Sequence, residues 1–340
     1  MKKMVQTGGL PTTKRRRSVG ITFVIAIVLP IFFGSSCDND DETPDVVIAR
    51  YPHDKTAALS LTWDDGCASV FTDIIPLLDR YNLPGTFFII TAKARDNGEW
   101  PQWKALHDQG HEIASHSLSH LSLGTILDTT VLKTEIDSSY SMIEHYIGKA
   151  PFSFGHPYHS TSSLADKLIF RKYGATKISP PGFCNMISLE EIDMFKHQMD
   201  QALQTHDWFV TTAHGINDCP QPLTGEFFTE LFDYVTPNDD IYIDTFEHLA
   251  KYKIERTNTR VHVTNVDGDM VVQLTNELPS EVFDMPLTVS IPGINLDEYE
   301  IVSNTDPHAV AYDKDGRLYL ETHPQSTFRL RKKTPSRLML

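Results

Sequence analysis

Leu59-Ser60-Leu61-Thr62-Trp63-Asp64-Asp65-Gly66 is the stretch from which the rest of the chain can be read. Alternating apolar residues run into two adjacent carboxylates and a glycine. That is the pattern of a short buried strand with acidic oxygens at its C-terminal end. In α/β folds, sites are built at that end of a strand. Adjacent residues point different ways, so one carboxylate can bind a metal while the other handles a proton. Alone, Asp-Asp-Gly is more often a plain turn, and the residues that follow decide the matter.

Strand-like and helix-like stretches alternate from Lys55 to Lys253. Ala57–Thr62, Thr86–Thr91, Glu112–Ser115, Ala175–Ile178, Trp208–Ala213 and Asp240–Ile243 read as strands. Val70–Tyr81, Thr129–Ile147, Leu164–Tyr173, Leu189–Gln204, Phe227–Val235 and Thr245–Lys253 read as helices. The clearest helix carries Leu132, Ile136, Ile143 and Ile147 along one stripe. This alternation argues a parallel sheet, open or closed into a barrel. After Lys253 the pattern changes to short strands with hairpin signals at Asp267-Gly268 and Asp315-Gly316 and no helix. A small antiparallel sandwich is the expectation there, with packing or spacing favoured over glycan binding as its role.

His116-Ser117-Leu118-Ser119-His120 is the second landmark. Two imidazoles four residues apart can face the same way in a helical turn or tight loop. With one carboxylate they make three ligands and leave a position open, as catalytic zinc requires. Such a pair is often accidental in a chain with 15 histidines. Behind a strand-end Asp-Asp-Gly it becomes much more specific.

Thr62-Trp63-Asp64-Asp65-Gly66, His116–His120, Pro157-Tyr158 and a late strand ending in His214 together resemble the ordered motifs of the polysaccharide deacetylase family. That family includes chitin and peptidoglycan deacetylases and acetylxylan esterases. The resemblance covers roughly residues 55–253. It implies a distorted (β/α) barrel, usually of seven strands, and a divalent metal, with Zn2+ the first expectation. Carried over residue by residue, it makes Asp65, His116 and His120 the metal ligands and Asp64 the general base. The Tyr158 backbone N–H becomes an oxyanion donor and His214 the acid that protonates the leaving group. Trp208 is read either as a wall of the acetyl pocket or as a structural tryptophan. One departure stands out. The family's third motif usually carries an arginine shortly before the Pro-aromatic pair, and it orients the catalytic aspartate. Here that place reads Phe154-Gly155-His156-Pro157-Tyr158-His159, which leaves His156 and His159 as candidate substitutes.

The domain reading is therefore 1–36 signal peptide, 37–54 acidic tether, 55–254 barrel, 255–333 sandwich and 334–340 tail. Lys14–Arg17, the apolar run Ile21–Phe33 and Gly34-Ser35-Ser36-Cys37 resemble a bacterial lipoprotein signal. That resemblance implies cleavage before Cys37, lipidation there, and a membrane-anchored protein of the bacterial outer membrane. An uncleaved signal anchor is the alternative. Cys67, Cys184 and Cys219 allow one disulfide and one thiol in an oxidising compartment, with Cys184–Cys219 one candidate pairing. The formal charge is −15, and residues 1–36 hold six Lys/Arg and no acid. The remaining 24 basic against 45 acidic residues disfavour a nucleic-acid phosphate partner, and none is expected. The reading that results is a metal-dependent hydrolase removing N-acetyl groups from an acetylated amino-sugar glycan. An O-acetyl esterase on xylan is the nearer alternative, and a non-catalytic glycan-binding lipoprotein is the more distant one.

Overall fold

The strand that carries Asp64 is bent, and the bend joins two sheets. In the computed structural model, which describes residues 44–334 apart from residue 188, Ala57–Ser60 and Thr62–Asp64 flank Leu61 and belong to different parallel sheets. Ala57–Ser60 lies between Ile241–Ile243 and Trp208–Thr211, with Asn185–Ile187 beyond. Thr62–Asp64 starts the second sheet, followed in order by Thr86–Ile89, Glu112–Ser115, Ser153–Phe154 and Ala175–Thr176. A bridge between Trp63 and Ala213 closes the joint on the other side. The result is a mixed α/β fold with a curled parallel sheet. Its eighth parallel strand, Ile241–Ile243, goes beyond the seven expected.

Both faces of the central strands are buried, the polar residues that alternate along Leu59–Asp64 included. Inside the curl lie Ala58, Phe88, Ala114, Trp208, Val210 and Phe246. Outside it, helices cover Leu59, Trp63, Phe87 and Ile113. Helix Thr129–Ile147 has the bounds its apolar stripe dictates. Asp128 caps its start by accepting from the Thr130 N–H, and Gly148, at φ 86°, ends it. The run Val70–Tyr81 is divided instead. Val70–Ile74 makes a π turn, and the α-helix proper is Ile75–Tyr81, with Pro76 in its first turn. The last helix, Phe246–Asn258, extends five residues past Lys253.

Seven antiparallel strands follow that helix. Arg260–Val266 and Asp269–Thr275 turn through Asp267-Gly268, both at positive φ as a two-residue hairpin requires. They sit in a sheet with Thr327–Lys332 and Tyr299–Asn304. The facing sheet holds Leu287–Pro292, Arg317–Thr322 and Val310–Lys314. Its edge strand is Val47–Ile48, from within the stretch read as an acidic tether. Val272, Leu274, Val289, Ile291, Leu320 and Phe328 fill one core between the two sheets. This unit packs against the floor of the curled sheet, where the parallel strands begin. Phe283 packs edge-on against Phe152, and the Met285 N–H donates to Glu255 Oε1 at 3.0 Å. The signal segment and Cys37 lie outside the described residues.

Candidate active site

Strand ends converge at the mouth of the curled sheet, and there Asp65, His116 and His120 meet. Asp65 follows strand Thr62–Asp64 in a left-handed conformation, φ 69°, which turns its carboxylate away from that of Asp64. Gly66, at φ 60°, continues the turn beneath Trp103. His116 follows strand Glu112–Ser115, and its N–H still bonds the Ile89 carbonyl at 2.9 Å. His116 Nε2 lies 3.4 Å and His120 Nε2 3.1 Å from Asp65 Oδ1. One ligand atom from each of the three falls within 4.8 Å of the others.

Three features fit this set to a divalent cation. Asp65 Oδ1 is buried and has no hydrogen-bond partner, so a lone pair faces the cluster unpaid by any donor. His116 Nδ1 is 2.9 Å from the Gly155 carbonyl, an acceptor. That bond assigns the proton to Nδ1 and leaves Nε2 as a lone pair toward Asp65. The donor set of two imidazoles and a carboxylate is that of catalytic zinc sites. Burial pushes the Asp65 carboxyl up, and the two imidazoles, when protonated in the absence of a metal, outweigh that and draw it well below the usual carboxylate range.

The loop holding the imidazoles is fixed by a residue the sequence reading did not single out. Glu135, buried on helix Thr129–Ile147, accepts from the Ser119 N–H at 2.8 Å and the Ser119 hydroxyl at 2.5 Å. The Leu118 N–H bonds the Glu135 carbonyl, and the Ser117 hydroxyl accepts from the His120 N–H. Ser117 and His120 are left-handed, as are Tyr158 and His159. Backbone held in that region by surrounding bonds is a mark of functional loops. The only sequence signal for Glu135 is its place beside Leu132 and Ile136 on the apolar stripe.

His214 stands on the opposite wall, with Nε2 4.0 Å from Asp65 Oδ2. Its loop is tied to the Asp64–Ser69 loop by a Cys67–Cys219 disulfide, by Ser69 N–H to Asp218 at 2.8 Å, and by Ile216 N–H to Ser69 Oγ at 2.9 Å. The pairing is thus Cys67–Cys219, with Cys184 free, and not Cys184–Cys219. Tyr158 sits in the Pro157–His159 turn, 71% exposed, with its ring centroid 4.5 Å from that of His120. Trp208 is not at the mouth. It starts its strand at the other end, donates to Ser60 Oγ at 3.1 Å and packs on Phe246, so it is structural.

Asp64 is buried beside this set and does not pair with a histidine from the third motif. His156 Nε2 is 3.0 Å from Asp166 Oδ1 instead. The partner of Asp64 is Lys177, whose Nζ lies 2.6 and 2.9 Å from the two carboxylate oxygens. Burial pushes the Asp64 carboxyl up. The Lys177 ammonium, with smaller help from His116 and His214, more than offsets this and leaves it below the ordinary value.

Comparison with known proteins finds likeness over parts of the chain. The family model described as polysaccharide deacetylase matches residues 52–177. A gellan lyase of a Bacillus sp is 24% identical over 284 residues, covering 73% of this chain and 11% of that protein. A chitin deacetylase of a Pestalotiopsis sp is 29% identical over 116 residues, covering 31% of this chain and 36% of that protein. The chain thus spans about a tenth and about a third of these two relatives. A solved structure described as a "probable Polysaccharide deacetylase" of Pseudomonas aeruginosa PAO1 shares the fold. Its TM-score is 0.52 at 11% identity, over 60% of this chain and 93% of that one.

Proposed function

We propose, starting from the polysaccharide deacetylase domain that residues 52–177 of this chain carry, that the protein is a metal-dependent hydrolase. It removes acetyl groups from a carbohydrate, with N-acetyl groups of an amino-sugar glycan as the leading substrate. The observation that supports this most is the convergence of Asp65, His116 and His120 at the barrel mouth, with Asp64 and His214 beside them.

Asp65, His116 and His120 hold the metal, expected to be zinc. When bound it supplies Lewis acidity toward the acetyl carbonyl and toward water. Asp64, held ionised by its pairing, takes a proton from the attacking water. The water oxygen forms its bond to the carbonyl carbon, and the Tyr158 backbone N–H donates to the oxygen that becomes negative. His214 gives a proton to the departing nitrogen as the C–N bond breaks, so the products are acetate and a free amine. Histidine suits that role because its charge changes near neutral pH. A rigid strand frame holds these groups in place, and positioning of this kind lowers barriers without further motion.

The same chemistry cleaves an ester, so the substrate must be separated by experiment. Purified protein is incubated with N-acetylglucosamine oligomers and with acetylated xylan, and acetate is measured with and without a chelator. Chelator-sensitive release from the oligomers is the expected result. Release from xylan alone transfers the reading to an O-acetyl esterase. No release from either substrate in the presence of zinc rules out the hydrolase and leaves a glycan-binding role. Export and lipidation at Cys37 belong to the same proposal. The Cys67–Cys219 disulfide supports an oxidising compartment.

A further inference from the structure

We propose that Lys177 is the positioning residue of the reaction: it takes the place of the absent third-motif arginine and orients Asp64 from a different strand. This rests on the function proposed above, in which Asp64 is the base. Lys177 follows strand Ala175–Thr176, the last of its sheet, and its side chain crosses the barrel mouth. The Lys177 side chain is 1% exposed and that of Asp64 5%. Its ammonium reaches both Asp64 oxygens, and Thr62 Oγ1 at 3.5 Å and Thr212 Oγ1 at 3.4 Å lie nearby as further acceptors. The four oxygens give all three ammonium protons an acceptor, as a buried ion pair requires. Among the described residues no other Lys or Arg is paired with Asp64.

The packing explains why the cation comes from here. Gly155 stands two residues before Pro157, in the stretch where the family motif usually carries its arginine. A Cβ added at Gly155 would lie 2.9 Å from Phe88 Cδ1 and 3.0 Å from His116 Nδ1. A side chain at position 155 of that turn would thereby collide with that ring and that imidazole. The Phe88 ring that closes it also carries the Lys177 ammonium, 4.5 Å from the ring centroid. The ring that excludes a side chain at Gly155 is thus the one over which Lys177 passes. Lysine is a compact charge with rotatable donors, unlike the planar fork of arginine. It can hold both oxygens from one nitrogen and still leave lone pairs for a water.

The test is a double-mutant cycle of Lys177→Met, Asp64→Asn and both together, on the full chain loaded with zinc. A residue acting only through Asp64 loses its effect once Asp64 is neutral. Lys177→Met is expected to lower kcat about 100-fold, with KM changed less than about threefold and zinc still bound one per chain. Lys177→Arg is expected to recover part of that loss. Adding Lys177→Met to Asp64→Asn is expected to cost nothing further. Thermal melting provides a readout independent of turnover. Lys177→Met alone leaves a buried carboxylate unpaired and should melt lowest, while the doubly neutral variant should melt above it. The proposal is overturned if Lys177→Met keeps kcat within about threefold, if the two losses multiply, or if the double variant melts no higher than Lys177→Met. If the wild type itself releases no acetate, the proposed function fails, and the melting cycle still tests the pair.

Discussion

Asp64 at the mouth of the curled sheet and Glu255 at its floor are carboxylates taken out of water in opposite ways. At the mouth, Asp64 faces Lys177 and stays below the ordinary carboxylate range despite burial, and Asp65 faces two imidazoles. At the floor, Glu112 accepts from Thr86 and from the Glu247 N–H. Burial and the nearby Glu247 charge push its carboxyl up. Glu255, which accepts from Met285 of the C-terminal unit, is pushed up to about 8 by burial. Asp64 therefore keeps its negative charge through a buried lysine, whereas Glu112 and Glu255 at the floor favour the protonated form and Glu247, paired with Lys149 and Lys251, stays charged there. Only the first arrangement can take a proton from water at neutral pH; the second joins two packed units.

Four experiments break or sharpen this contrast. Asp64→Asn removes the charge that the mouth is built to keep, and acetate release should fall by about 10²–10⁴, read as kcat. A smaller loss would move the base elsewhere. Replacing Cys67 and Cys219 by Ser unties the His214 loop from the Asp64–Ser69 loop. The disulfide closes a loop across a sequence separation of 152, and its removal should cost about 2–5 kcal/mol in denaturant unfolding. Glu135→Ala leaves the Ser119 N–H without its acceptor. It should cost about 1–3 kcal/mol and weaken metal binding, because the turn between His116 and His120 loses its anchor.

The smallest effect is at the floor. Glu255 has a folded pKa raised above its ordinary 4.5, so the folded state binds the proton more tightly than the unfolded chain. The stability this contributes is full below about pH 4.5 and is lost as pH rises through about 8. Glu255→Gln should therefore melt a few degrees above the wild type beyond pH 8, with the gap closing toward pH 4. An unchanged gap across that window would show that Glu255 titrates normally.

Much of the site was legible because its residues interrupt apolar patterns. Asp64-Asp65-Gly66 stops a buried strand, and His116 follows the next strand end but one. A side chain that must leave a core strand for a cleft shows itself in this way. The helix Thr129–Ile147 and the Asp267-Gly268 turn were legible for a similar reason, since period and turn chemistry are local. Lys177 was not legible. It follows a two-residue strand, and nothing adjacent separates it from a solvated lysine; its role comes from a partner 113 residues away. Glu135 was hidden because a glutamate in a helix is ordinarily a surface residue. The Cys67–Cys219 pairing and the strand Val47–Ile48 depend on contacts across most of the chain. Periodicity carries no information about those.

The central claim is that Asp65, His116 and His120 share one divalent cation. Calorimetric titration of zinc into metal-stripped protein tests it most directly, with acetate release followed at each point. The account requires saturable uptake of one zinc per chain, activity rising in proportion, and loss of both when His116 and His120 are replaced by Ala. Uptake that survives that replacement, or none in the wild type, would contradict it.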